Sequence, residues 1–138
     1  MELTKKQFLK KSANCLDESG KMILLIRELI DLETCGSLDN KEAYKRINLI
    51  INGIESVFFN YEELNPPSKC VSLKLKILNI LIVLQEVVSV NYEYITTSNE
   101  GNDEIAALKL LNSKILLENF RKEFIPLTVE VDSYLTKK

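Results

Sequence analysis

The side chains with which this sequence could do chemistry are its carboxylates, its five tyrosines and three cysteines, Cys15, Cys35 and Cys70; it contains no His. The lack of His removes the commonest general base and the commonest metal ligand. Ser-His-Asp and Cys-His nucleophile arrangements cannot be assembled without it. Nor can the Glu-x-x-His pairs that hold di-iron centres in helical bundles. No Cys-x-x-Cys spacing occurs, so a zinc site is not expected. No two of the four glycines lie close enough for a dinucleotide- or phosphate-cradling loop. The sequence therefore predicts no catalytic residue, no cofactor and no metal.

Among the carboxylates, Glu28, Glu55 and Glu86 lie within strongly apolar stretches. A buried carboxyl there would have a raised pKa and could act as an acid. A place on the helix rim, with the head group in water, is the simpler expectation. Asn48, Asn52, Asn79 and Asn112 also sit among apolar residues. Buried, such amides would pair across helices and set register rather than do chemistry. The aromatics Phe58, Phe59, Tyr61, Tyr92 and Tyr94 are dispersed. Tyr61 is near a proline turn and Tyr92 is not, so core and rim packing is expected in place of one common aromatic pocket. The small pair Ser19-Gly20 predicts close approach of a neighbouring helix, or a notch for a ligand.

These residues must be positioned by helices, because the apolar residues recur at three- and four-residue steps. Thr4 with Gln7 makes a capping box that starts a first helix over about 4–35, which Gly36 ends. Asp39 with Glu42 starts a second, about 39–63, with Ala43, Ile47, Ile50, Ile54, Val57 and Tyr61 on one line. Pro66-Pro67 stops it and opens a third, about 67–96. Residues 77–90 of that helix are apolar almost all round, as in a central or partner-covered helix. Thr96–Asp103 reads as a loop. A fourth helix over about 103–125 carries the stripe Ala106, Leu110, Ser113, Leu117, Phe120 and Phe124, with Leu108, Leu111 and Ile115 beside it. Pro126 is expected to break or kink it; in the short C-terminal extension beyond it, about 127–136, a helix continuing past the kink is favoured over an extended tail. The expected fold is one all-α domain, an antiparallel up-down four-helix bundle with a Pro126 kink.

Lys and Arg number 18 against 20 Asp and Glu, evenly spread along the chain. That balance gives no concentrated positive face for nucleic acid. Lys5, Lys6, Lys10 and Lys11 form the one local cluster and read as a solvated helix face. No apolar run is long enough to span a bilayer, and no leader is visible. Widely spaced, odd-numbered cysteines suit reduced thiols in the cytoplasm, unless a leader has been removed, with Cys35 the best candidate for an exposed thiol. The Ile-, Asn- and Lys-rich, Ala-poor composition points to an AT-rich bacterial source. On the third helix, Asn79, Val83, Glu86 and Val90 share one stripe, and two valines on its wettest face predict an interaction surface. The function expected from these features is a small noncatalytic interaction module of adaptor, inhibitor or regulator type, taking a protein partner or a second copy. A small-molecule or lipid-binding bundle is the second reading.

Overall fold

The computed structural model describes residues 2–136. Four helices hold most of them: α1 (Lys5–Thr34), α2 (Asn40–Glu62), α3 (Val71–Asn99) and α4 (Asp103–Thr136), with a short 3₁₀ turn at Ser68–Cys70 leading into α3. Each helix packs on its neighbours in sequence, and α1 also packs on α4, which closes a square; α1 and α3 meet across its diagonal. Contacts between opposite helix ends give the alternating direction. Lys5 at the start of α1 lies over the ring of Tyr134 near the end of α4. Tyr44 in α2 donates to Thr96 in α3, and Lys76 in α3 pairs with Glu130 in α4. The molecule is an all-α four-helix bundle.

The helix boundaries follow from local chemistry. Thr4 Oγ1 accepts the Gln7 amide at 3.1 Å, and Gln7 Oε1 accepts the Thr4 amide at 2.9 Å, so two orphan donors are satisfied together. At the far end of α1, Gly36 takes φ 66°, a left-handed turn that a Cβ would strain. Its amide reaches the Glu33 carbonyl and the Ser37 amide the Leu32 carbonyl, which closes the last turn. The same pair of bonds, around Gly101 at φ 80°, ends α3.

One boundary differs from the sequence reading. Helix α3 runs on to Asn99, so the loop expected over 96–103 shrinks to Glu100–Asn102. The start of α2 holds the added turn, through Tyr44 on Thr96 and Asn40 Nδ2 on Asn99 Oδ1. Helix α4 continues past Pro126 to Thr136, the outcome favoured over an extended tail. Proline removes the bond to the Lys122 carbonyl, but both residues are exposed, so water can serve that carbonyl. Leu127 and Val131 stay buried beyond it and keep the helix on the core. The core line holds across the break in the hydrogen-bond ladder.

The core contains fully buried Phe8, Ile26, Ile47, Ile77, Leu84 and Phe120, drawn from all four helices. Burying one such side chain stabilises the fold by about 1.5–3 kcal/mol. The closest helix approach made by a glycine is at Gly53, where a Cβ would lie 2.8 Å from Met22 Sδ. At Gly20 the nearest atom to such a Cβ is Phe124 Cζ at 3.8 Å, an ordinary contact. No helix is long and apolar enough to cross a membrane, among the described residues.

Candidate functional site

Helices α2 and α3 leave an apolar groove of about 680 Å³ along their seam. Its floor is Ile54 and Val88, both buried in the core. Its walls alternate along the two antiparallel helices: Ile51 and Phe58 from α2, Gln85 and Ser89 from α3. Phe59 and Tyr92 stand at its edges, 57% and 39% exposed. Both rings are held. Phe59 meets Phe58 edge-on with centroids 5.8 Å apart, and Tyr92 meets Tyr44 edge-on at 5.5 Å. Tyr44 is itself fixed by its bond to Thr96. Two carboxylates, Glu55 and Glu93, are the charged residues of the lining. Glu93 pairs with Lys109 at 2.8 Å, while Glu55 makes no ion pair among the described residues.

Of Phe58, Phe59, Tyr61, Tyr92 and Tyr94, the groove gathers three and leaves out Tyr61 and Tyr94. Phe58, Phe59 and Tyr92 do share a lining, because the antiparallel pairing of α2 and α3 runs the length of the seam. Tyr61 is not part of it. Its ring is buried against Phe8, and its hydroxyl lies 2.7 Å from Ser12 Oγ. Burial pushes the Tyr61 hydroxyl well above its ordinary range.

The stripe predicted on α3 lies on its other flank. Asn79 and Glu86 are exposed, whereas Val83 and Val90 are half-buried. Asn79 borders a cleft shared with Lys122, Pro126 and Leu127 of α4, so α4 provides cover on that side. Glu28, Glu55 and Glu86 are all exposed, and Glu28 reaches Arg46 at 3.6 Å. Asn48, Asn52, Asn79 and Asn112 are exposed too. The Ser19-Gly20 notch opens onto a shallow cleft against Phe124 and Thr128, and Ser19 Oγ bonds back to the Cys15 carbonyl at 2.8 Å. Cys15 and Cys70 are buried, and Cys35 is exposed. Burial, with the nearby Glu18 charge, pushes the Cys15 thiol up to about 12.

The buried acid and amide are two residues the sequence reading did not single out. Glu33 is 7% exposed and Asn91 is fully buried, and Asn91 Nδ2 donates to Glu33 Oε1 at 2.7 Å. Glu33 Oε2 and Asn91 Oδ1 meet no hydrogen-bond partner among the described residues. Burial pushes the Glu33 carboxyl from 4.5 up to about 7, against the opposing pull of the Asn91 bond. Nearby Tyr94 is raised as well, first by burial and then by the Glu33 charge. The pair joins α1 to α3 across the diagonal of the bundle. Sequence spacing held the signal: Ile26, Ile30 and Glu33 continue one line, as do Leu84, Val88, Asn91 and Ile95. At 7% exposed, this acid ties two helices together inside the bundle.

The groove therefore offers apolar contact bordered by negative charge, and the buried pair offers a proton-sensitive tie inside the bundle. Neither a family model, nor a curated protein, nor a solved structure matches this chain.

Proposed function

We propose that this chain is a noncatalytic helical interaction module, an adaptor, inhibitor or regulator in type, and that its α2/α3 groove takes an amphipathic helix of a partner protein. The observation that carries this reading is a preformed apolar groove with two held aromatic rings at its edges. Aromatic side chains dominate binding energy where they become desolvated by a partner. A helix laid in such a groove presents apolar anchors at i, i+3 or i+4, and i+7. Glu55 and Glu93 call for Lys or Arg on the flanks of that helix. On the other flank of α3, Asn79 and Glu86 are exposed, but α4 borders Asn79, and Val83 and Val90 are half-buried. The unpaired thiols favour a reducing, cytoplasmic setting for the module.

A displayed library of helical peptides, selected on the purified protein, tests the reading. Basic amphipathic helices should be enriched, and Phe59→Ala should weaken the best of them by about tenfold or more. Amide shift changes on binding should fall on residues 51–59 and 85–93. Selection of no peptide above background, or shifts confined to another face, would refute it. Binding of an apolar dye in the groove, with no peptide enriched, would favour the small-molecule reading instead.

A further inference from the structure

We propose that the outer face of α4 is a self-complementary seam through which two copies of this chain pair antiparallel. Positions 104, 108, 111, 115, 118, 122, 125 and 129 of α4 follow one another at alternating steps of four and three. That is the spacing of a coiled-coil seam. All eight positions are exposed. The core-facing residues Ser113, Leu117, Phe120 and Val131 lie on the opposite side of the same helix. Apolar residues scattered singly on a surface are ordinary. Here Leu108, Leu111, Ile115, Ile125 and Val129 fall on a single line, with Leu111 and Val129 53% and 62% exposed.

The order of residues along the line identifies the occupant. From 111 to 129 it reads Leu, Ile, Glu, Lys, Ile, Val. Reversed, it keeps the same pattern of apolar and polar positions, and its two charges exchange sign. A second copy related by a two-fold axis at position 120 sets Leu111 against Val129, Ile115 against Ile125, and Glu118 against Lys122. From 111 to 129 every apolar position then meets an apolar one and both charge pairs are of opposite sign, while Leu108 falls opposite Asp132 beyond that stretch. A parallel copy in register would set Glu118 on Glu118 and Lys122 on Lys122, which like-charge repulsion disfavours. Arg121 already holds Glu118 of its own chain at 3.5 Å and stays beside the axis. The seam is about 27 Å long at 1.5 Å per residue. One helix pair of that length is a small interface, below the roughly 1,200 Å² of standard complexes, so a dimer of micromolar or weaker affinity is expected. The groove between α2 and α3 lies away from this face, so the proposal stands independently of the partner reading.

The test is the solution mass of the purified full chain, by sedimentation equilibrium up to about 0.5 mM, a range that captures weak pairing. Wild type should pass from 15.8 kDa to twice that mass as concentration rises. Ile115→Glu should remain monomeric while keeping its helical circular dichroism. Glu118→Lys and Lys122→Glu should each fail to self-associate, and an equimolar mixture of the two should recover a dimer. A monomeric wild type throughout the range overturns the proposal. So does a dimer indifferent to all three variants, or a mixture that stays monomeric. Should any variant lose its circular dichroism, the wild-type salt series decides: the dimer must weaken at high salt, and dimerisation unaffected by salt overturns the charge pairing.

Discussion

The buried Glu33–Asn91 pair predicts that this protein loses stability as pH rises through the weakly acidic range. In the unfolded chain Glu33 titrates near 4.5, and in the bundle near about 7. Below the lower value both states hold the proton, and the contribution to stability is complete. Between the two, the unfolded chain has released the proton while the folded chain keeps it. Proton binding then favours the folded state less with each step upward in pH. Above the higher value both states are ionised, and the loss is complete. A rise from 4.5 to about 7, at 1.36 kcal/mol for each pH unit, gives a loss of roughly 3 kcal/mol. That is a large share of the 5–15 kcal/mol typical of a domain. Little of it is screened, because Glu33 is only 7% exposed.

Glu33→Gln isolates the effect. The neutral amide can accept from Asn91 Nδ2 and offers its own N–H to Asn91 Oδ1, the acceptor that lacks a partner. Urea denaturation of both proteins from about pH 4 to about pH 8 gives the difference in stability, with other titrating groups cancelling. The variant should gain on wild type by roughly 3 kcal/mol across that range, most of it between 4.5 and about 7. A difference that is flat with pH would refute the burial argument. A difference of opposite sign would mean that the folded state stabilises the carboxylate.

Three further outcomes follow from named contacts. Tyr61→Phe removes the hydroxyl that meets Ser12 Oγ at 2.7 Å and should cost about 1–3 kcal/mol in urea denaturation, since Ser12 is left buried without that partner. The double variant with Ser12→Ala should recover part of the loss, and a strictly additive cost would deny the coupling. Gly20→Ala should stabilise by up to about 1 kcal/mol, because its Cβ meets Phe124 only at 3.8 Å. Gly53→Ala should gain less in the same assay, having to displace Met22 from 2.8 Å. Of the three thiols, Cys35 should react quickly with an aromatic disulfide, while Cys15 and Cys70 should react only on the timescale of unfolding.

The helices were legible because an apolar stripe at helical spacing has few other solutions in a chain of this composition. The capping residues Thr4 and Asp39 and the turn at Gly36 give signals confined to a few residues, and the structure follows them. The end of α3 was not legible. The segment Thr96–Asn99 is polar, and its helical state depends on contacts from Tyr44 and Asn40, more than fifty positions away. Pro126 left both a helical and an extended tail open in the sequence, and buried Leu127 and Val131 further along outweigh its local penalty. The α2/α3 groove depends on how two helices meet, which no single stripe records. On α3, the sequence shows an excess of apolar surface but not which flank α4 would cover.

Polar residues inside the bundle show why the apolar pattern alone would underdetermine it. A stripe of Ile, Leu and Val can slip by a turn along its neighbour and still bury similar area. Three internal polar contacts make such a slip costly, each joining a different pair of helices. Ser12 and Tyr61 tie α1 to α2, Ser113 Oγ and the Val87 carbonyl tie α4 to α3 at 3.2 Å, and Glu33 with Asn91 ties α1 to α3. Sliding any of them apart strands a buried polar group, at about 1–3 kcal/mol each. The first two are neutral and act at every pH near 7. The third holds a carboxyl whose burial penalises its charged form, so the fold around the diagonal is most stable in acid. The bundle therefore has two fixed ties between neighbouring helices and one adjustable tie across the diagonal. Its adjustable end holds Ile95, Tyr44 and Tyr92, so ionisation of Glu33 should loosen the Tyr92 edge of the α2/α3 groove before the Phe59 edge. Hydrogen exchange at pH 5 and pH 8 measures this order: amides of residues 88–96 should lose protection first as Glu33 ionises, and an equal loss across 54–59 would deny it.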